Sequence, residues 1–322
     1  MLKIAFLGSD PIALPLLEWL GGDASGARVV GVFTQPDRPV GRGRQVQPSA
    51  IKLWAQARGL PVLQPARLGP AEREQLAALG ADVALVMAYG HILRQEFIDT
   101  PRLGTLNLHT SVLPKFRGAS PIQSAIAAGE TETGVTLMRI VLELDAGPVA
   151  AVERVPIGAL DTAADVEARL AQASVPLVAR CLPELAAGRL RFAAQDPAAA
   201  TFCRRLDKAD GVLDFSAPAA TLARRVNGLF PWPACSAEIG ALPVKLGLAD
   251  ATEVAAGPPP GTVLGADAHG LLVATGQGAL RLRRLQRPGG RMLEAADFLR
   301  GHPVPAGAVL PSRAMPPLVT RR

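Results

Sequence analysis

Short apolar runs alternate with stretches of helical spacing along the first 188 residues, and few folds accept that pattern. Leu2–Leu7, Val29–Thr34, Pro61–Leu63, Val83–Ala88 and Thr105–His109 predict strands. Ile12–Leu20, with Leu14, Leu16, Leu17 and Leu20 at helical spacing, predicts a helix. So do Ile51–Arg58, Ala71–Leu79, Pro121–Ala128 and Thr162–Ala187. Strands separated by helices build a parallel sheet with helices on its faces. The expected class is α/β, with a doubly wound, Rossmann-like N-terminal domain.

The texture changes after an Ala-rich connection at Arg189–Thr201. Val212–Phe215, Ser236–Ile239, Val244–Leu248, Thr262–Leu264, Leu271–Thr275 and Leu280–Leu285 are short runs set between Gly/Pro turns. They predict a small C-terminal β-barrel of OB-like type. The expected boundaries are residues 1–188 for the first domain, 189–206 for a linker, 207–311 for the second domain and 312–322 for a frayed Pro-rich tail. Charge divides along the same line. The net +6 resolves into −1 through Gly188 and +7 from Arg189 onward. A basic half beside a near-neutral one points to a polyanionic partner, nucleic acid first.

With 49% apolar and 19% charged residues, the composition excludes a mostly disordered chain. No apolar run reaches the roughly 18 residues of a membrane span. The first residues lead straight into Gly8-Ser9-Asp10 without a signal-peptide pattern, so the cytoplasm is the expected location. Cys181, Cys203 and Cys235 are widely spaced, which predicts buried thiols and neither a zinc site nor a disulfide framework.

An open α/β sheet binds ligands outside the carboxyl ends of its strands. The first turn, Gly8-Ser9-Asp10-Pro11, lacks the G-x-G-x-x-G spacing of a dinucleotide site, and Gly41-Arg42-Gly43-Arg44 does not open a helix as a P-loop would. Asn107 and His109 share one face at the end of a predicted strand. An amide beside an imidazole can stabilise an oxyanion and move protons. Taken alone, the pair better fits a hydrogen-bonded histidine at a strand end. Asp145, after the apolar run Val135–Val141, could orient His109 or simply initiate a turn.

Asn107-Leu108-His109, Ser111-Val112-Leu113-Pro114 and Arg117-Gly118, with Asp145 before Ala146-Gly147, resemble the core motif of the formyltetrahydrofolate-dependent transformylases. The resemblance implies that Asn107, His109 and Asp145 are the catalytic trio. It implies folate contacts from Ala88, Tyr89, Gly90 and Ile92, and from Ser111, Val112, Leu113 and Pro114. His91 departs from the apolar residue often found at its position, and its role is left open. Thr34–Gly43 is similar to an inserted loop of the tRNA-directed branch of the family, and Phe230-Pro231-Trp232-Pro233 to its C-terminal domain. The likeness runs from Lys3 to about residue 310.

That branch implies formyl transfer from 10-formyltetrahydrofolate, as cosubstrate, to the α-amino group of methionyl-initiator tRNA. No metal and no permanently bound cofactor is expected, and a monomer is. The implied tRNA contacts are Arg38, Arg42 and Arg44 in the inserted loop, and Arg205, Lys208, Arg281 and Arg283 in the basic half. Arg42 is the first choice for a specificity contact. Arg281 and Arg283, two apart in a predicted strand, share a face. A transformylase of amino sugars or purine precursors would share the trio; the arginine loop and the basic half favour tRNA. A nonenzymatic RNA-binding relative is opposed by the intact trio.

Overall fold

The computed structural model describes residues 1–40, 45–240, 242–254 and 257–321. The chain forms two compact units whose segments interleave along the sequence. The first comprises Met1–Arg117, Gly134–Val155 and Glu167–Ala200, and the second Gly118–Thr133, Pro156–Val166 and Thr201–Arg322. The expected linker 189–206 is thus divided, with residues through Ala200 in the first unit.

The strands of the first unit, in chain order, are β1 (Leu2–Leu7), β2 (Ala27–Phe33), β3 (Arg38–Val40), β4 (Gln45–Gln47), β5 (Val62–Leu63), β6 (Val83–Val86), β7 (Thr105–His109), β8 (Arg117–Gly118), β9 (Glu132–Arg139) and β10 (Val149–Pro156). Seven of them make one sheet in the order β10-β9-β7-β6-β1-β2-β5. Pairing is parallel from β5 through β7, as the alternating pattern predicts. β9 joins β7 antiparallel, which places Thr136 opposite His109. β1, β6 and β7 are buried on nearly every residue, as strands covered on both faces must be. The helices are α1 (Leu14–Leu20), α2 (Ala50–Gln56), α3 (Pro70–Ala78), α4 (Gln95–Ile98) and most of α6 (Ala163–Ala186), while α5 (Pro121–Ala128) belongs to the second unit. Ser49 caps α2 by accepting from the Lys52 N–H, and Glu72 closes the start of α3 on the Gly69 N–H. The chain passes from β1 to β2 to β5 on one side and then returns to place β6 on the other side of β1. The switch in strand order lies between β1 and β6, where a ligand crevice belongs.

In the second unit β12 (Cys235–Ile239), β13 (Leu242–Thr252), β14 (Val263–Ala266), β15 (Leu271–Ala274) and β16 (Ala279–Gln286) follow the short β11 (Phe202–Cys203). They pair antiparallel in the order β12-β13-β16-β15-β14, and β17 (Leu293–Glu294) adds to β16. Register shifts along β13 bend the sheet. The helix α7 (Ala219–Leu229) contributes Leu222, Val226 and Leu229 to the core beneath it. The Asn227 amide, buried in that core, donates to the Ala249 carbonyl and accepts from the Ala249 N–H, both at 2.9 Å. The short α8 (Ala295–Gly301) packs on β16.

Three sequence expectations change. Val212–Phe215 is not a strand: Asp214 accepts from the Ser216 N–H and hydroxyl, a local turn, while Leu213 and Phe215 anchor it in the core. The tail is held and does not fray. Ser312 accepts from the Phe215 N–H, the Arg313 N–H donates to the Leu213 carbonyl, and β18 (Val319–Thr320) pairs with β11. The arginines of β16 are paired, as described below. The three cysteines are buried. Among the described residues no helix is long and apolar enough to cross a membrane.

Candidate active site

Three loops leaving the carboxyl ends of β1, β2 and β6 are hydrogen-bonded to one another. The Ser9 N–H donates to the Ala88 carbonyl at 3.1 Å, and the Ser9 hydroxyl donates to the Tyr89 carbonyl at 3.2 Å. That hydroxyl accepts from the Gln35 N–H, and the Gln35 side-chain amide also donates to the Tyr89 carbonyl. Ala88 takes a left-handed backbone (φ 50°), and Gly90 does the same at φ 78°. The left-handed backbone at Gly90 favours glycine, and a β-carbon there would also lie 2.8 Å from the Gln35 amide nitrogen. Of the residues expected to contact folate here, Tyr89 is buried and Ile92 is 93% exposed. Burial pushes the Tyr89 hydroxyl well above its usual range and lowers His91, with Arg38 nearby adding to the latter effect. The Tyr89 hydroxyl and His91 Nε2 are both buried without a hydrogen-bond partner among the described residues, and their rings meet edge to face at 5.0 Å.

β7 runs beside β6 and delivers Asn107 and His109 to the same edge of the sheet. The next loop turns through a cis Leu113–Pro114 bond. Ser111 is wholly buried and shapes this loop. Its hydroxyl donates to the Lys115 carbonyl at 2.7 Å, and its carbonyl accepts from Thr136 on β9 at 2.6 Å. Leu113 is also buried, whereas Val112 and Pro114 are partly exposed.

His109 is buried, with Nε2 2.9 Å from the Phe116 carbonyl. A carbonyl only accepts, so Nε2 carries the hydrogen and the ring's orientation is set. Nδ1 then faces Asp145, whose Oδ2 lies 3.7 Å away. That is an ion-pair separation, longer than a hydrogen bond. Asp145 itself has a left-handed backbone (φ 48°) in the loop between β9 and β10. The structure therefore brings the three expected catalytic residues to one place. Asn107 is half-buried, and its amide has no hydrogen-bond partner among the described residues.

Two residues given no role in the sequence reading complete this region. Arg117, 3% exposed, donates from Nε and Nη2 to Gln195 Oε1 at 3.1 and 2.9 Å. Gln195 Nε2 donates to the carbonyls of Asp145 and Gly147, both at 2.8 Å. Arg117 stands in the motif region and was within reach of sequence reasoning. Gln195, one polar residue in an Ala-rich stretch, carries no local signal.

The expected nucleic-acid contacts fare unequally. Arg38 is exposed at the start of β3 and hydrogen-bonds Gln35. Close by, Asp37 is held by Lys52 (2.6 Å) and Gln64 (2.7 Å), which lower its carboxyl below the usual range. Arg42 and Arg44 lie outside the described residues. In the second unit Arg205 and Lys208 are exposed with no carboxylate partner among the described residues. Arg281 is clasped by Asp250 at 2.8 Å and Asp267 at 2.9 Å, and Arg283 reaches Asp250 at 3.2 Å. The two arginines share a face as their spacing predicts, but carboxylates already occupy it.

The chain matches two family models, formyl transferase over residues 2–182 and formyl transferase, C-terminal domain, over residues 205–303. It is 44% identical over 307 residues to methionyl-tRNA formyltransferase of Aromatoleum aromaticum, covering 95% of this chain and 96% of that one. Among solved structures it resembles WlaRD, a sugar 3N-formyl transferase, at a TM-score of 0.66 and 17% identity over 90% of this chain and 99% of that one. It also resembles HypX from Aquifex aeolicus in complex with tetrahydrofolic acid, at 0.59 and 20% identity over 96% of this chain but 50% of HypX.

Proposed function

The chain belongs to the formyl transferase family, and from that membership we infer that it transfers a formyl group to the α-amino group of methionyl-tRNA, with 10-formyltetrahydrofolate as the donor. The carrying observation is the near full-length relationship to methionyl-tRNA formyltransferases, joined to an Asn–His–Asp constellation at the carboxyl ends of the strands.

The neutral amine attacks the formyl carbon, and a C–N bond forms. The carbonyl oxygen becomes an oxyanion. Asn107's unengaged amide is the donor placed to receive that charge, a contribution typically worth about 3–4 kcal/mol. Collapse breaks the bond to N10 of the folate. The proton lost by the amine must reach N10, and the His109–Asp145 pair is the relay. Because Nε2 is committed to the Phe116 carbonyl, proton exchange falls to Nδ1, the nitrogen facing Asp145. His109 in its charged form adds its field to the oxyanion's stabilisation.

Folate binding is assigned to Ala88, Tyr89, Gly90 and Ile92 on one side and to Ser111, Val112, Leu113 and Pro114 on the other. Ser111 and Leu113 act through the shape of their loop. Phosphate contacts are assigned first to the exposed Arg38, Arg205 and Lys208, and to Arg42 and Arg44, with Arg281 and Arg283 secondary because they are paired. Residues 1–188 are assigned the chemistry and 207–311 the tRNA.

The test is a formyl-transfer assay with 10-formyltetrahydrofolate and, in parallel, methionyl-tRNA and a nucleotide-linked amino sugar as acceptors. Transfer to methionyl-tRNA alone is expected. Transfer to the amino sugar alone refutes the assignment.

A further inference from the structure

We propose that Gln195, backed by Arg117, is a positioning residue for the His109–Asp145 proton pair; this rests on the formyl-transfer reading above. The imidazole is bracketed by two loops. One presents the Phe116 carbonyl to Nε2, and the other presents the Asp145 carboxylate to Nδ1. Neither partner is on the strand that carries His109, so ring and carboxylate stay aligned only if the two loops are fixed to each other.

Gln195 is a side chain that joins them. Its oxygen accepts both hydrogen bonds from Arg117, the residue after Phe116. Its nitrogen donates both hydrogens to the Asp145 loop, at the carbonyls of residues 145 and 147. Two donors and two lone pairs are the full capacity of a carboxamide, so the group can sit only one way round. Arg117 adds a longer contact to Glu143 on the same loop, at 3.5 Å.

The Asp145 loop needs such a hold. A non-glycine residue in the left-handed region is strained and persists only where its surroundings enforce it. The two carbonyls gripped by Gln195 are that residue's own and the one two positions further on. Removing the grip frees the carboxylate to move relative to Nδ1, and a shift of about 1 Å at a reacting group can cost on the order of 100-fold in rate.

The experiment uses the full-length chain with Gln195→Ala and Gln195→Glu. The glutamate keeps the side-chain size and an acceptor for Arg117 but cannot donate to either carbonyl, so it carries the test if the alanine variant fails to fold. Both variants are expected to lower kcat roughly ten- to hundredfold, as loss of a supporting hydrogen bond typically does. KM for folate and for methionyl-tRNA should stay within about threefold, since neither substrate contact is removed. In single-turnover assays on an Asp145→Ala background, Gln195→Ala should cost less than about twofold more, because the group it positions is gone. A Gln195→Ala enzyme within twofold of the parent kcat overturns the proposal. So does a loss carried by KM, or a full loss repeated without Asp145. A parent enzyme inactive on methionyl-tRNA would instead refute the functional reading, before any variant is compared.

Discussion

Gly147 is the position where a single methyl group should do most harm to turnover. A β-carbon there would lie 1.8 Å from the Arg139 carbonyl oxygen, at the end of β9. Real contacts of that kind begin near 3.0 Å, so loop or strand must retreat by about 1.2 Å. The strand end is not free to yield, because Arg139 pairs with Leu106 of β7 and the next residue's N–H, that of Ile140, donates to the Thr105 carbonyl at 3.0 Å. The retreat therefore falls on the loop, two residues from the Asp145 carboxylate, and stretches the Gln195 hydrogen bond to Gly147 from 2.8 Å. Overpacking of this order costs roughly 1–3 kcal/mol of stability. The displacement at the proton pair should cost on the order of 100-fold in turnover. Thermal unfolding and steady-state kinetics with methionyl-tRNA separate the two effects: Gly147→Ala should remain folded at 25 °C yet be nearly inactive. Activity within threefold of the parent would mean that the loop's position does not govern the chemistry.

Alanine at Asn107, His109 or Asp145 should lower kcat by at least about 100-fold while the unfolding midpoint changes little; near-normal turnover removes that residue from the trio. Arg205→Ala with Lys208→Ala should weaken tRNA binding and reduce the slope of log affinity against log salt by about 2, about one per phosphate contact. Arg281→Ala should act differently: it leaves Asp267 without its arginine and Asp250 with Arg283 alone, so the loss should appear in thermal stability first, and a pure salt-slope change would contradict this. Asp210 is wholly buried; despite its desolvation, Arg204 and the Asp207 N–H hold its carboxyl below the usual value. A carboxyl lowered by folding contributes stability above its unfolded pKa, which disappears as pH falls through the folded one. Asp210→Asn should therefore lose stability at neutral pH and show a flatter acid limb in an unfolding titration.

Part of the fold was legible because its signals are local. Thr105–His109 and Pro121–Ala128 fall where an apolar pattern is bounded by glycine or proline, and both ends match. β10 was not legible, since its residues alternate weakly and include Glu153 and Arg154. α7 was hidden among short strands, with Arg225, Asn227 and Gly228 interrupting its apolar face. Arg225 is buried and donates to the carbonyls of Asp210 and Pro316, contacts that no spacing announces. Gln195 was silent for the same reason: its partners lie 78, 50 and 48 positions away. Two arginines at strand spacing show which face they share, but not that Asp250, 31 and 33 positions earlier, is waiting opposite.

Those carboxylates have a consequence for how the second unit folds. Asp250 stands directly across from Arg281 in the pairing of β13 with β16, between the pairs Ala249–Leu282 and Ala251–Leu280. Leu280 and Leu282 are wholly buried. Sliding either strand by one residue would set Asp250 against one of these leucines and turn the alternation inside out, driving charge into the core and leucine into water. The ion pairs are thus alignment marks. They reward one offset between two long strands and penalise its neighbours.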